Sequence, residues 1–298
     1  MGAALALLVN AAVWGLSWIP FKSLAQAGLH PLWSTALIYL GSTVVMIYLC
    51  RQDLMRIRAH PAVMLLGIAA GLTNACFNTA VALGDVVRVI LLFYLMPIWA
   101  VLFARILLKE PLTLQSAAKI TLGLAGAAVI LGGRHVADFL PKTLPDVLAI
   151  AGGALFALNN VMLRKLRDLP GQWGTLAMVT GACVMNLLLA IGFTTWQGLH
   201  WPDLQAPGVL HTLLLWSLLF MGANACLQYG ASRLAPAVTA VLMLSEIVFG
   251  SVSAWALGEA VIGPRELTGG GLILLAAMLP SGGQAGRPVE QCTPQKLL

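Results

Sequence analysis

One acidic residue stands where acids are rare. Glu246 falls roughly ten residues into an apolar run of about 22, near the middle of a stretch long enough to cross a bilayer. On insertion scales an acidic residue at a helix centre is unfavourable by about 2.5 to 3.5 kcal/mol, so a partner charge, a proton or hydrogen bonds must compensate. Two roles meet that condition. The carboxyl either attracts an amino group or exchanges a proton along a transport path, or it is a protonated structural group bonded between helices.

Amides supply a second candidate set. Asn74 and Asn78 are spaced i, i+4 and share a helix face, as do Asn224 and Gln228. Converging on a central cavity, these four would bind the polar groups of a zwitterion; otherwise they bond helix to helix, each bond contributing about 0.6 to 2 kcal/mol. Tyr94 and Pro97 lie about one turn apart, and a proline removes a backbone donor and can kink its helix, which serves a gate or an aromatic wall as readily as plain packing. Trp14, Trp18 and Trp99 offer rings to the same cavity, but tryptophan near a run end more often anchors at the interface, as read for Trp173, Trp196 and Trp201, and Trp14, well inside its run, is the one kept as a candidate. Asn159 and Asn160 complete the set, for a cavity or for packing. Arg88, three residues after Asp85, is expected to form a local ion pair, and Glu110 and Glu259 to pair near their own helix ends.

Other chemistries are missing. There is no G-x-x-x-x-G-K-[ST] loop for a nucleotide, and His30, His60, His135, His200 and His211 stand apart without catalytic partners. Cys50, Cys76, Cys183, Cys226 and Cys292 have no C-x-x-C spacing and read as small core residues. The sequence therefore implies no cofactor, no metal and no enzyme activity.

The elements that must position these residues follow from composition. Of 298 residues 59% are hydrophobic and only 9% charged, against roughly a quarter charged in a soluble domain. Apolar runs near 3–21, 32–49, 62–83, 86–108, 114–132, 146–163, 173–194, 209–231, 236–257 and 266–280 read as transmembrane helices, about 20 residues being needed for each crossing. The fold class expected is all-α integral membrane, with ten spans. The net charge of +6 is carried by short loops, so it reports orientation and not a nucleic-acid partner. Arg51, Arg56, Arg58, Lys109, Arg164, Lys165, Arg167 and Arg233 fall in alternate loops, with Lys22, Arg134, Lys142 and Arg265 on the other side. The positive-inside rule then puts both termini in the cytoplasm of a bacterial-type inner membrane. The first run lacks a cleavage site and is expected to remain, and the tail 281–298 is expected to be disordered.

The runs repeat. Thr73 to Asn78 resembles Ala223 to Gln228; Pro97 precedes Glu110 by thirteen residues as Glu246 precedes Glu259; and Trp14 to Lys22 can be laid over Phe156 to Arg164. Two units follow, 1–133 and 134–280, each of five spans. Five is odd, so the second unit is inverted relative to the first, a plan that recurs in secondary transporters.

Trp14-Gly15, Ala82-Leu83, Tyr94 to Pro97, Leu108 to Thr113 and Ala256 to Glu259 together resemble the drug/metabolite transporter superfamily, in particular its EamA-type ten-helix exporters. Within it, 94–133 and 148–183 are most similar to bacterial aromatic amino acid exporters. Glu246 departs from the family pattern, which places proline there, so the ninth span should be straighter and polar at its middle. The resemblance implies export of small metabolites, aromatic and other neutral amino acids first. Glu246 keeps open polyamines, quaternary amines and cationic drugs. The partners implied are a small-molecule substrate and membrane lipid; the oligomeric state stays open, a monomer included. An intramembrane enzyme is the competing class, and it lacks a paired acid and base.

Overall fold

The computed structural model describes residues 2–107, 109, 114–131, 141–166, 168–198, 200–231, 242–243 and 245–279. All secondary structure among these residues is helical. In a bilayer no water is present to satisfy backbone N–H and C=O groups, and a helix satisfies them within its own segment. The elements are α1 (Gly2–Gly15), α2 (Trp18–Gln26), α3 (Pro31–Leu49), α4 (Leu54–Arg58), α5 (Pro61–Leu83), α6 (Val86–Phe93) and α7 (Met96–Leu107), followed by α8 (Leu114–Leu131), α9 (Leu144–Lys165), α10 (Gly171–Gln197), α11 (Val209–Ala231), α12 (Ser245–Ala256) and α13 (Pro264–Met278). Among the described residues seven helical stretches are long and apolar enough to cross a membrane, with α1–α2 and α6–α7 each counting as one. As described, α8 has 18 residues, α12 has 12 and α13 has 15.

Two spans are broken, and proline explains both. Pro20 has no N–H to give the Leu16 carbonyl, which instead accepts from Ile19 N at 3.1 Å in a tighter turn between α1 and α2. Pro97 likewise cannot bond the Phe93 carbonyl; Leu95 N turns back to Leu92 O at 3.2 Å and Ile98 N to Leu95 O at 3.0 Å, so α6 stops and α7 restarts. The sequence reading expected the second break and not the first.

Packing pairs most early helices with a late one. α1 lies on α11 and α12, α5 on α9 and α10, α3 on α10 and α11, α6 and α7 on α9, and α8 on α13. Small residues allow the tightest of these approaches. A Cβ placed on Gly67 of α5 would come 2.9 Å from the Ala177 carbonyl of α10, and one on Gly71 would strike the Gly181 carbonyl. Glycines four apart let two backbones meet without side chains between them, the main route to tight association where lipid gives no hydrophobic drive.

Candidate functional site

The two breaks face a common region. Gly15 is the last residue of α1, and a Cβ there would sit 2.6 Å from the Glu246 carbonyl and 2.7 Å from Phe249 Cβ, so α12 rests directly on the end of α1. Tyr94 occupies the break after α6, with its ring buried. Its hydroxyl donates to Glu246 Oε2 at 3.3 Å across 152 residues of sequence. Glu246 itself is half-buried in the first turn of α12. On the far side of the Tyr94 break, α9 approaches through Gly153, where a Cβ would strike the Phe93 carbonyl that Pro97 leaves without its helical donor.

Aromatic rings flank this point in two groups. Trp14 stacks on Phe220 of α11 with centroids 4.7 Å apart, and Tyr39 and Trp216 meet the same ring at 5.9 and 5.6 Å. Phe93 contacts Phe77 at 4.7 Å, Phe156 at 5.5 Å and Tyr94 at 6.1 Å. Trp14 and Phe156 thus each join an aromatic group contributed by both early and late helices.

The amides do not converge as a set of free donors. Asn74 Nδ2 donates to Ala70 O at 2.9 Å and Asn224 Nδ2 to Phe220 O at 2.9 Å, each on its own helix four residues back. Asn78 is buried and donates to Thr35 Oγ1 at 2.9 Å. Asn159 is buried, whereas Asn160 beside it is exposed. The side chains of Pro97 and Gln228 lie outside the described residues.

Two ion pairs correct the expectation of local pairing. The Arg88 guanidinium holds Asp146 of α9 through Nε at 2.7 Å and Nη2 at 3.0 Å, while Asp85 caps α6 by accepting from the Arg88 backbone N–H at 2.8 Å. Asp85 is occupied at the helix start, so the guanidinium reaches across to the next helix. Lys22 of α2 bonds Glu259 at 2.7 Å, 237 residues away. Glu110 lies outside the described residues. Trp18 is buried and donates to Ser253 Oγ at 3.0 Å, which makes it a packing residue and not an interfacial anchor.

Asn10 escaped the sequence reading. It is fully buried on α1, its Nδ2 donates to Met243 Sδ at 3.4 Å, and its Oδ1 has no partner. Its position one turn before Trp14 was the available signal. Among the described residues no group of three or more His, Cys, Asp or Glu side chains is placed to hold a metal ion, and Cys50, Cys76, Cys183 and Cys226 are free thiols.

No curated protein matches the sequence. A solved crystal structure shares its fold with a TM-score of 0.60 at 18% identity, over 93% of this chain and 96% of the other. Residues 1–132 match the EamA-like transporter family. Residues 1–132, somewhat under half of the chain, are thus similar to an EamA-like transporter domain.

Proposed function

We propose that the protein is a secondary transporter that exports small amino-bearing metabolites, aromatic and other neutral amino acids first, by alternating access around the Tyr94–Glu246 site. In this reading residues 1–133 and 134–280 are two inverted five-helix repeats of a bacterial inner-membrane protein with both termini in the cytoplasm. α1–α2, α3, α5, α6–α7 and α8 then correspond to α9, α10, α11, α12 and α13. The packing supports that correspondence, because exchanging partners leaves the pairs in place: α1 with α11 becomes α9 with α5, and α1 with α12 becomes α9 with α6 and α7. Related halves with near-equivalent packings can trade conformations, which is what alternating access requires.

The observation that carries the reading is the Tyr94–Glu246 bond at 3.3 Å. It joins one half to the other at the middle of the spans, Tyr94 being the ninth residue of the 22-residue stretch Val86–Leu107. A carboxyl there can receive an amino group, with the aromatic groups around Phe220 and Phe93 beside it to pack an apolar side chain. The chain carries no nucleotide loop, so movement follows a gradient. Uptake of labelled phenylalanine and threonine into proteoliposomes, against empty vesicles, tests it. Uptake above the control is expected for both, and none for either removes amino acids as the substrate. Cationic amines are the second reading, favoured by the acidic group at the centre.

A further inference from the structure

Among the described residues most of the buried polar side-chain atoms without a partner are amide oxygens, Oδ1 of Asn10, Asn78, Asn159 and Asn186, beside His60 Nδ1 and Thr180 Oγ1. Asn10, Asn78 and Asn186 are all buried, and in each it is Oδ1 that has no partner. Two of these amide orientations are fixed by what lies opposite. Asn186 Nδ2 meets two backbone carbonyls, Gly71 O at 3.1 Å and Ala182 O at 2.8 Å, which can only accept. Asn78 Nδ2 meets the Thr35 hydroxyl, whose own proton goes to Pro31 O at 2.8 Å. Asn10 Nδ2 meets a thioether, also an acceptor. Flipping Asn10 or Asn186 would set acceptor against acceptor, whereas the Thr35 hydroxyl can turn to meet either end of Asn78.

Cations are absent from the same interior. Among the described residues no Lys, Arg or His is buried, and Lys22 and Arg88 already hold Glu259 and Asp146. Among the described residues a ligand carboxylate entering the bundle therefore meets no buried basic side chain, whereas a ligand N–H meets carbonyl oxygens and one carboxyl. Asn10 and Glu246 share the α1–α12 seam, since Asn10 bonds Met243, three residues before Glu246, and Gly15 rests on the Glu246 carbonyl.

Resting on the transporter reading, we propose that Asn10 Oδ1 and the Glu246 carboxyl together receive the N–H groups of a protonated amine. The site then selects its substrate by the ammonium group and draws no affinity from a carboxylate. Glu246 supplies the charge, and Asn10 an acceptor that every polar neighbour has left open. Asn10 is enclosed, so reaching it requires α1 and α12 to part, a movement that alternation of the halves provides.

The test measures binding of phenylalanine, 2-phenylethylamine, N-acetylphenylalanine and putrescine to the purified full-length protein by calorimetry, with Asn10→Leu alongside. Phenylethylamine is expected to bind at least as tightly as phenylalanine, and N-acetylation, which removes the charge, to weaken binding by about tenfold or more. Asn10→Leu is expected to weaken amine binding by about tenfold while keeping or raising the melting temperature, because it removes an unpaired buried acceptor. If phenylalanine binds and phenylethylamine is about tenfold weaker, a carboxylate is being read; the inference falls and the transporter reading stands. Binding of amines without phenylalanine supports the inference and removes amino acids as the substrate. Unchanged amine affinity in a folded Asn10→Leu protein overturns the role of Asn10. No binding by either amine overturns the inference, and liposome uptake then decides the transporter reading separately.

Discussion

Tyr94 gives its hydroxyl proton to Glu246 at 3.3 Å, and each residue lies against a backbone that glycine allows to come close: Gly153 beside the Phe93 carbonyl, Gly15 beside the Glu246 carbonyl. The contact is long for an O–H donor, so it is a bond that a ligand can replace. Tyr94→Phe keeps the ring and removes the donor. Transport is expected to fall about tenfold with a stability change near 1 kcal/mol, the net worth of a single hydrogen bond. Initial uptake rates and thermal unfolding of the same preparation check both numbers.

Removing one partner should cost differently in the two ion pairs. The Asp146 side chain is 2% exposed and held by two guanidinium nitrogens, whereas Glu259 is 38% exposed. Asp146→Asn is expected to destabilise by about 3 kcal/mol, since Arg88 loses its carboxylate in a partly buried site. Glu259→Gln should cost no more than about 1 kcal/mol. Denaturation of both variants in the same detergent compares them; equal losses would contradict the burial argument.

Lys22–Glu259 also ties α2 to the end of α12, one from each proposed half, at a bundle end where a transporter must open. Spin labels at the exposed Gln26 and Val261 report that separation by dipolar spectroscopy, once the native cysteines are replaced. Glu259→Gln is expected to increase the long-distance population relative to the parent. An unchanged distribution would mean the pair is decorative.

Close helix approach makes a third contrast. A Cβ added at Gly71 would strike the Gly181 carbonyl, while one added at Gly222 would have nothing within 4 Å. Gly71→Leu is expected to lose about 3 kcal/mol or fail to fold, and Gly222→Leu to behave as the parent, because backbone cannot move aside as a side chain can. Yield after size-exclusion chromatography separates the two.

Much of this was legible beforehand, for physical reasons. Glu246 stood out because a carboxyl in an apolar run has so few explanations, and the Pro97 break because a missing N–H acts at a fixed distance back along the helix. Pro20 obeys the same rule, but its run was expected to end at 21; only the extension to Gln26 puts the break mid-span. Partners were harder. Arg88 has an aspartate three residues away, yet that carboxylate caps the helix and leaves the guanidinium for Asp146, a choice set by how α6 meets α9. Asn74 and Asn224 looked like cavity donors from their shared face, but a short amide inside a helix readily returns to the carbonyl one turn back. Asn10 lies one turn before Trp14, but its unpaired oxygen exists only in the packed structure.

The most direct test of the central claim is counterflow of labelled phenylalanine into liposomes preloaded with unlabelled substrate, comparing the parent protein with Glu246→Gln at matched reconstitution and melting temperature. The account expects rapid exchange by the parent and a loss of about tenfold or more in the variant. Exchange at the parental rate by folded Glu246→Gln would contradict it, leaving the carboxyl as a structural group between α1, α6 and α12.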